Sequence, residues 1–429
     1  MFKTFAKYVF LNVMSMLGLS LYILVDTYFI ANEIGRQALA ALNIILPLFY
    51  LVTGVGILLG TGSSCAYSIC RGANNDSEAN QSLTSGFLLA IIVSLVFTFL
   101  SFFYLREILL LLGADNEVFQ DAREYFYIFS FFAWSLILSN FFACAVRNDE
   151  NPKLATASML LASFLNILLD YLFICIFKWG MFGAALATGI ASLSGLAVLL
   201  LHILCKKNKF YFEFTGFKAI RFLKIISLGT AAFINEFSAG IVMAAFNLTI
   251  HTLVGNVGIA AYGIIANTAL VAIAVFNGIA SGAQPLFSYL HGAQKKQELK
   301  AVAKYAFITV FVTGLTVYAL VYLNKTDIIA LFNKESNPKL AEIASHGINM
   351  YFLSFIFLGL NVAAISYFAS IEEPIKALSV SLLRGCVIVI PVLILFSGLW
   401  GMFGVWLSQP FAEMLTLLFV LSSFKNSLK

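Results

Sequence analysis

Trp179-Gly180-Met181-Phe182-Gly183 recurs letter for letter as Trp400-Gly401-Met402-Phe403-Gly404, 221 positions further along a chain of 429 residues. Working outward at nearly the same offset, Gly35, Ala40, Ala41, Ile44 and Ile45 meet Gly255, Ala260, Ala261, Ile264 and Ile265. Gly62, Ser68, Gly72, Ala73 and Glu78 meet Gly282, Ser288, Gly292, Ala293 and Glu298, and Pro152 meets Pro374. Apolar segments match one another by chance through Leu and Ile. In-phase matches of Gly, Ser, Glu, Pro and Trp instead point to a duplicated chain. Paired halves with a site within or between them are a common build of secondary transporters.

Composition sets the solvent. Hydrophobic residues make up 61% of the chain and charged residues 11%, against roughly 25% charged in an average soluble protein. Runs of about 20 apolar residues span a bilayer as helix. Twelve such runs occur, near 5–31, 38–66, 82–105, 124–146, 154–177, 181–205, 222–250, 255–288, 300–323, 343–369, 376–396 and 401–424. The short alternating segments of a membrane barrel are missing, which leaves helices to satisfy the backbone in lipid. The expectation is an all-α polytopic membrane protein of two parallel-repeat six-helix lobes. Its parts are an N-terminal lobe over 1–205, a cytoplasmic linker over 206–220 and a C-terminal lobe over 221–429. The first run follows Lys3 and Lys7, exceeds a signal-peptide core in length and carries Asp26, so it reads as a permanent helix.

Charge predicts the orientation. With both termini cytoplasmic, 19 of the 26 Lys and Arg fall inside, among them Lys206, Lys207, Lys209, Lys218, Arg221, Lys224, Arg384 and Lys429. Arg36, Arg106, Arg123, Lys178, Lys325, Lys334 and Lys339 stay outside, so the positive-inside rule selects this topology in the plasma membrane. The net charge of +5 then reflects contact with lipid rather than nucleic acid, and the basic linker reads as a solvated strand near anionic headgroups. Six scattered cysteines without a Cys-x-x-Cys pair, and four histidines without ligand spacing, support neither a disulfide framework nor a metal site. No Gly-x-x-x-x-Gly-Lys-Ser/Thr loop occurs. The chain reads as a monomeric transporter and not an enzyme, without a cofactor, driven by an ion gradient or by a separate subunit.

Ionisable groups inside the apolar runs are the candidate site. Asp26 lies in Leu24-Val25-Asp26-Thr27-Tyr28 and Asp170 in Leu168-Leu169-Asp170-Tyr171. Intramembrane carboxylates are costly, by about 2.5–3.5 kcal/mol on the lenient insertion scale, and face a protein interior. Asn166 and Asp170 are four apart and share a helix face. Counted inward from Glu33, Lys178 and Gly180, Asp26, Asp170 and Thr188 sit at one depth, roughly 10–12 Å below the outer surface at 1.5 Å per residue. Two carboxylates, an amide and a hydroxyl suit a cation or a proton. The second half lacks these acids, with Phe246 and Pro391 in the matching places. Its own candidates are Asn235 and Glu236 near the midplane, with Asn247, Asn267, Asn277 and Asn361 as neighbours, for a cationic substrate or a second ion. Gly62, Gly282 and Pro285 interrupt long apolar runs at matching places and mark expected bends.

The order Asp26-x-x-Phe29-Ile30, Gly72-Ala73, Arg147 through Pro152, Asn166-x-x-x-Asp170, Gly183 through Thr188, and Gln284-Pro285 through Gly292-Ala293 resembles the multidrug and toxic compound extrusion (MATE) family. Through Gly282-Ala283-Gln284-Pro285-Leu286-Phe287-Ser288-Tyr289 the chain is similar to its bacterial MepA-like branch. The resemblance implies a V-shaped pair of lobes that exports organic cations in exchange for H+ or Na+ by alternating access. It carries the residue types of a cation site in the N-terminal lobe onto Asp26, Asn166, Asp170 and Thr188. Another branch has an acid matched by Glu236 and one in the tenth helix, where this chain has Asn361. The alternative is a lipid-linked saccharide flippase of the related superfamily. Such proteins place basic residues in the central cavity, and the first, second, seventh and eighth runs show none convincingly inside.

Overall fold

The computed structural model describes residues 1–215, 218–333 and 337–427; Lys334, Lys429 and part of the expected linker lie outside them. Every secondary-structure element among the described residues is a helix. In the first half α1 covers Phe2–Phe29, α2 Arg36–Gly72, α3 Asp76–Phe103, α4 Phe119–Asn148, α5 Pro152–Asp170 and α6 Gly180–Leu204. In the second, α7 covers Ala219–Val254, α8 Asn256–Gly292 and α9 Lys296–Leu323. The tenth span, α10, is a pair, Pro338–Tyr351 and Ser354–Ser370, bent by 48° at its break. The eleventh, α11, starts as Pro374–Leu382 and passes through a π turn, Leu383–Val387, into Val389–Trp400, and α12 is Met402–Ser427. Eleven helices are long and apolar enough to cross a membrane, or twelve with the bent pair taken as one span. Two short helices went unanticipated, Leu105–Leu111 and Lys325–Phe332.

The turns repeat as the sequence does. Asn74 and Gln294 take φ of 60° and 56°, Glu150 and Glu372 63° and 61°, and Gly180 and Gly401 58° and 57°. These left-handed positions end or start a helix at equivalent places in the halves. Starts are cut by local chemistry: the Asn75 side chain accepts from the Glu78 amide, and Asn151 accepts from Leu154 ahead of Pro152 at the first helical position. Packing repeats too. In the N-terminal lobe α1 packs on α5, α2 on α4, α4 on α6 and α5 on α6; in the C-terminal lobe α7 packs on α11, α8 on α10, α10 on α12 and α11 on α12.

The lobes meet through α1 on α8 and α2 on α7, symmetric partners again. Contact gathers at the end where α2 and α8 finish, here termed the basic end for the Lys and Arg around it. A Cβ on Gly62 would strike the Ile225 carbonyl, and one on Gly229 the Leu58 carbonyl. Gly72 likewise faces Tyr289, and Gly292 faces Ile69. The expected bends at Gly62, Gly282 and Pro285 fall inside α2 and α8, which run on as single helices. There Gly62 lets backbones approach, and Gly282 lies against Val9 and Tyr8 of α1. A bend of 48° occurs at the break in α10.

The described part of the linker is largely exposed but anchored at points. Phe210 is buried beside Tyr67, and Phe212 lies tilted against Phe87 with ring centroids 4.8 Å apart. Its backbone donates from Tyr211 to Asn80 Oδ1 at 3.0 Å and from Glu213 to Thr84 Oγ1 at 2.9 Å. These backbone-to-side-chain bonds and ring contacts strap it along α3 of the N-terminal lobe. The acidic turns are also engaged: Asp149 joins buried His202 at 2.8 Å, and Glu372 joins Lys224 at 2.6 Å.

Candidate functional site

In the N-terminal lobe the four expected residues come from α1, α5 and α6. Asp170 is fully buried, Asn166 and Thr188 are buried, and Asn166 Nδ2 donates to Thr188 Oγ1 at 3.3 Å. Asp26 and Asp170 lie within electrostatic reach of each other. Four oxygens have no hydrogen-bond partner among the described residues: Asp26 Oδ1, Asn166 Oδ1 and both carboxylate oxygens of Asp170. Buried polar groups are almost always paired, and no cationic side chain bonds this pair. The set therefore suits a small positive charge, either a proton on a carboxyl or a monovalent ion among the oxygens. Among the described residues no group of three His, Cys, Asp or Glu offers a metal site.

The backbone around these acids departs from α geometry. Asp26 is followed by a π turn, Ile30–Ile34, and Asp170 by another, Tyr171–Ile176, and the two turns pack together. Such bulges occur mostly as single turns and often at functional sites. The Lys178–Glu33 pair at 2.7 Å ties the ends of the same two helices. Two tyrosines missed in the sequence, Tyr22 of α1 and Tyr125 of α4, sit within electrostatic reach of both acids. Tyr22 precedes Asp26 by four residues and thus shares its helix face, a signal the sequence did contain.

The C-terminal lobe departs from expectation. Glu236 is half-buried on α7, takes no hydrogen bond among the described residues and feels Tyr50 of α2 in the opposite lobe. Asn235 and Asn361 do not join it. Asn235 accepts from Arg384, and Asn361 Nδ2 donates to Glu413 Oε2 at 2.7 Å. Arg384 was expected in a cytoplasmic turn; it lies in the π turn of α11 and pairs with fully buried Glu413 at 2.9 Å. Burial against α12 brings it to Glu413, an acid sequence reading passed over.

A polar seam closes the basic end. Asn148 Nδ2 donates to Gln284 Oε1 at 2.9 Å across the lobes, and Ser68 Oγ donates to Asn148 Oδ1 at 2.7 Å. Gln284 Nε2 donates to Cys65 Sγ and to Ser288 Oγ, each at 3.0 Å. Each of these side chains is buried.

Two pseudo-symmetric lobes of membrane-spanning helices, joined at one end and holding the buried Asp170 and the half-buried Asp26 with unpartnered oxygens, define a multi-pass membrane protein of the transporter class. The MatE family model matches residues 12–172 and 231–395. The chain belongs to the MatE family. It is 24% identical over 399 residues to the multidrug export protein MepA of Staphylococcus saprophyticus, covering 92% of this chain and 86% of that protein. To MepA of Staphylococcus aureus it is 25% identical over 401 residues, covering 92% and 87%. Its fold is similar to the outward-facing conformation of a multidrug resistance MATE family transporter of the MOP superfamily. The TM-score is 0.93 at 21% identity, over 99% of this chain and 96% of that one.

Proposed function

We propose that the chain is a secondary active exporter of organic cations and other xenobiotics, working as a monomer in the plasma membrane with both termini in the cytoplasm. It exchanges them for H+ or Na+ by alternating access. One observation carries the reading: Asp26 and Asp170 are intramembrane carboxylates with unpartnered oxygens and no bonded cation. An exchanged ion satisfies such a pair in one half of a cycle and leaves it in the other. Close carboxylates raise one another's proton affinity, so the pair is suited to hold a proton when no other cation is present. The multidrug export named for the MepA relatives supports the same reading.

A saccharide flippase needs a cation free to meet an anionic headgroup. Arg384, inside the C-terminal lobe, has its fork committed to Glu413 and Asn235. That favours export. The test is efflux of a cationic dye from proteoliposomes free of nucleotide, with the proton and sodium gradients imposed one at a time. Efflux under one gradient, lost in Asp170→Asn, supports antiport. Efflux indifferent to both gradients refutes it.

A further inference from the structure

The C-terminal lobe assembles its polar cluster from the helices that correspond to those of the N-terminal site. Asn235 comes from α7 as Asp26 does from α1, Asn361 from α10 as Tyr125 does from α4, and Arg384 from α11 as Asp170 does from α5. Gln409 and Glu413 come from α12, and Gln409 stands 221 positions after Thr188, the offset that relates the two Trp-Gly-Met-Phe-Gly runs. The two clusters differ in charge. The first holds two carboxylates and no cation. The second holds one carboxylate and one guanidinium.

The geometry of the second is that of a filled cation site. Arg384 Nη2 meets Glu413 Oε1 at 2.9 Å and Nε meets the same oxygen at 3.2 Å, while Nη1 donates to Asn235 Oδ1. Asn361 and Gln409 turn their Nδ2 and Nε2 donors toward Glu413, at 2.7 and 3.4 Å. Their own oxygens, Asn361 Oδ1 and Gln409 Oε1, are buried without a donor. Two buried oxygens in the cluster are thus left able to accept from a cation or a proton. The other titratable groups near Arg384 are Glu236 of α7, on the half-buried side, and Tyr351 of α10. A guanidinium stays charged at any working pH and is bonded to its own chain, so it neither releases a proton nor leaves.

We propose that Arg384 is a tethered resident cation, filling in the C-terminal lobe the place that an exchangeable ion takes in the N-terminal lobe. The second lobe is then a monovalent-cation site closed to exchange, and Asp26 and Asp170 carry the exchange alone. This builds on the proposed ion exchange in the first lobe. The site would open to H+ or Na+ on loss of the guanidinium, with Glu413 and the Asn235, Asn361 and Gln409 oxygens as its ligands.

The experiment measures binding of radioactive sodium, and proton uptake by back-titration, on purified full-length protein. The double variant Asp26→Asn/Asp170→Asn should bind no sodium and show no sodium-competed proton uptake. Adding Arg384→Gln should create a single new event per chain, of sodium binding or of proton uptake, and adding Glu413→Gln should remove it. Arg384→Lys keeps a tethered charge and should create none, which covers an Arg384→Gln protein that fails to fold. Ion binding in the double variant that Glu413→Gln abolishes overturns the proposal, as does ion binding gained in Arg384→Lys, or a folded Arg384→Gln protein that gains nothing. Wild-type protein that binds no ion counts against exchange at Asp26 and Asp170, and leaves the outcome at Arg384 to be read separately.

Discussion

Asp170 and Glu413 are both fully buried acids, and the company each keeps decides what its loss does. Asp170 has no partner for either oxygen, so replacing it by Asn removes a burial cost and breaks no bond. Asp170→Asn should fold with unchanged or raised thermal stability while losing gradient-driven efflux. Glu413→Gln should behave in the opposite way: it strands Arg384, and breaking a buried pair costs about 3–5 kcal/mol. Thermal unfolding of the two proteins in one detergent checks the contrast, and similar losses in both would contradict it. Glu236 presents a third case, a carboxylate on the half-buried face without a hydrogen bond. A role in cation recognition, proposed for it here, predicts that Glu236→Gln weakens a cationic ligand by about 1.5–3 kcal/mol, or roughly tenfold to over a hundredfold, and a neutral ligand far less. Parallel binding titrations decide, with equal losses counting against recognition. At this scale the sequence was legible where an acid interrupted an apolar run, as at Asp26 and Asp170. It was less so at Arg384 and Glu413, because their partnership joins residues 29 positions apart on two helices and no local pattern announces it.

Among elements, the repeat made the spans and turns readable, since each apolar run is bounded by a left-handed residue or a proline. The π turns after Asp26 and Asp170 were not readable, because an extra residue per turn leaves no trace in composition. The short helices at Leu105–Leu111 and Lys325–Phe332 fall below the length at which periodicity speaks. Gly62 of α2 and Gly282 of α8, expected as bends, lie against the backbone of a neighbouring helix. Gly229→Ala would press a methyl group against the Leu58 carbonyl and should cost the closed basic end about 1–3 kcal/mol of overpacking. Alkylation of Cys65, buried in that seam, should then quicken by roughly fivefold to a hundredfold. Gly263→Ala on α8, where a Cβ meets nothing within 4 Å, should leave the rate unchanged. A second tie at this end is titratable. His291 and Lys224 hold the Glu372 carboxyl down to about 2 from its ordinary 4.5. A depressed acid stabilises the fold above its unfolded value and loses that contribution as pH falls from about 4.5 towards 2. Because Glu372 is 38% exposed, solvent screening limits the contribution to about 1 kcal/mol or less. Glu372→Gln should therefore lower the melting point slightly at pH 7 and not at all at the acid end of that window, as melting curves at the two pH values would show.

At the scale of the whole molecule, duplication supplies two lobes on one plan, and divergence has given them different electrostatics. The N-terminal lobe keeps two acids without a cationic side-chain partner among the described residues, and the C-terminal lobe holds a neutralised cluster with Glu236 on its half-buried face. The described hydrogen bonds between lobes gather at the basic end. Breaking that seam is what a change to the opposite access requires. In the proposed cycle an ion on Asp26 and Asp170 and a cation on Glu236 bind in different lobes, and the coupling between them must pass through the relative position of the lobes. The most direct measurement is the release of H+ or Na+ from purified protein on addition of a cationic substrate. The account predicts a release that disappears in both Asp26→Asn and Asp170→Asn; the same release from either variant, or substrate binding that displaces no ion from the wild-type protein, would contradict it.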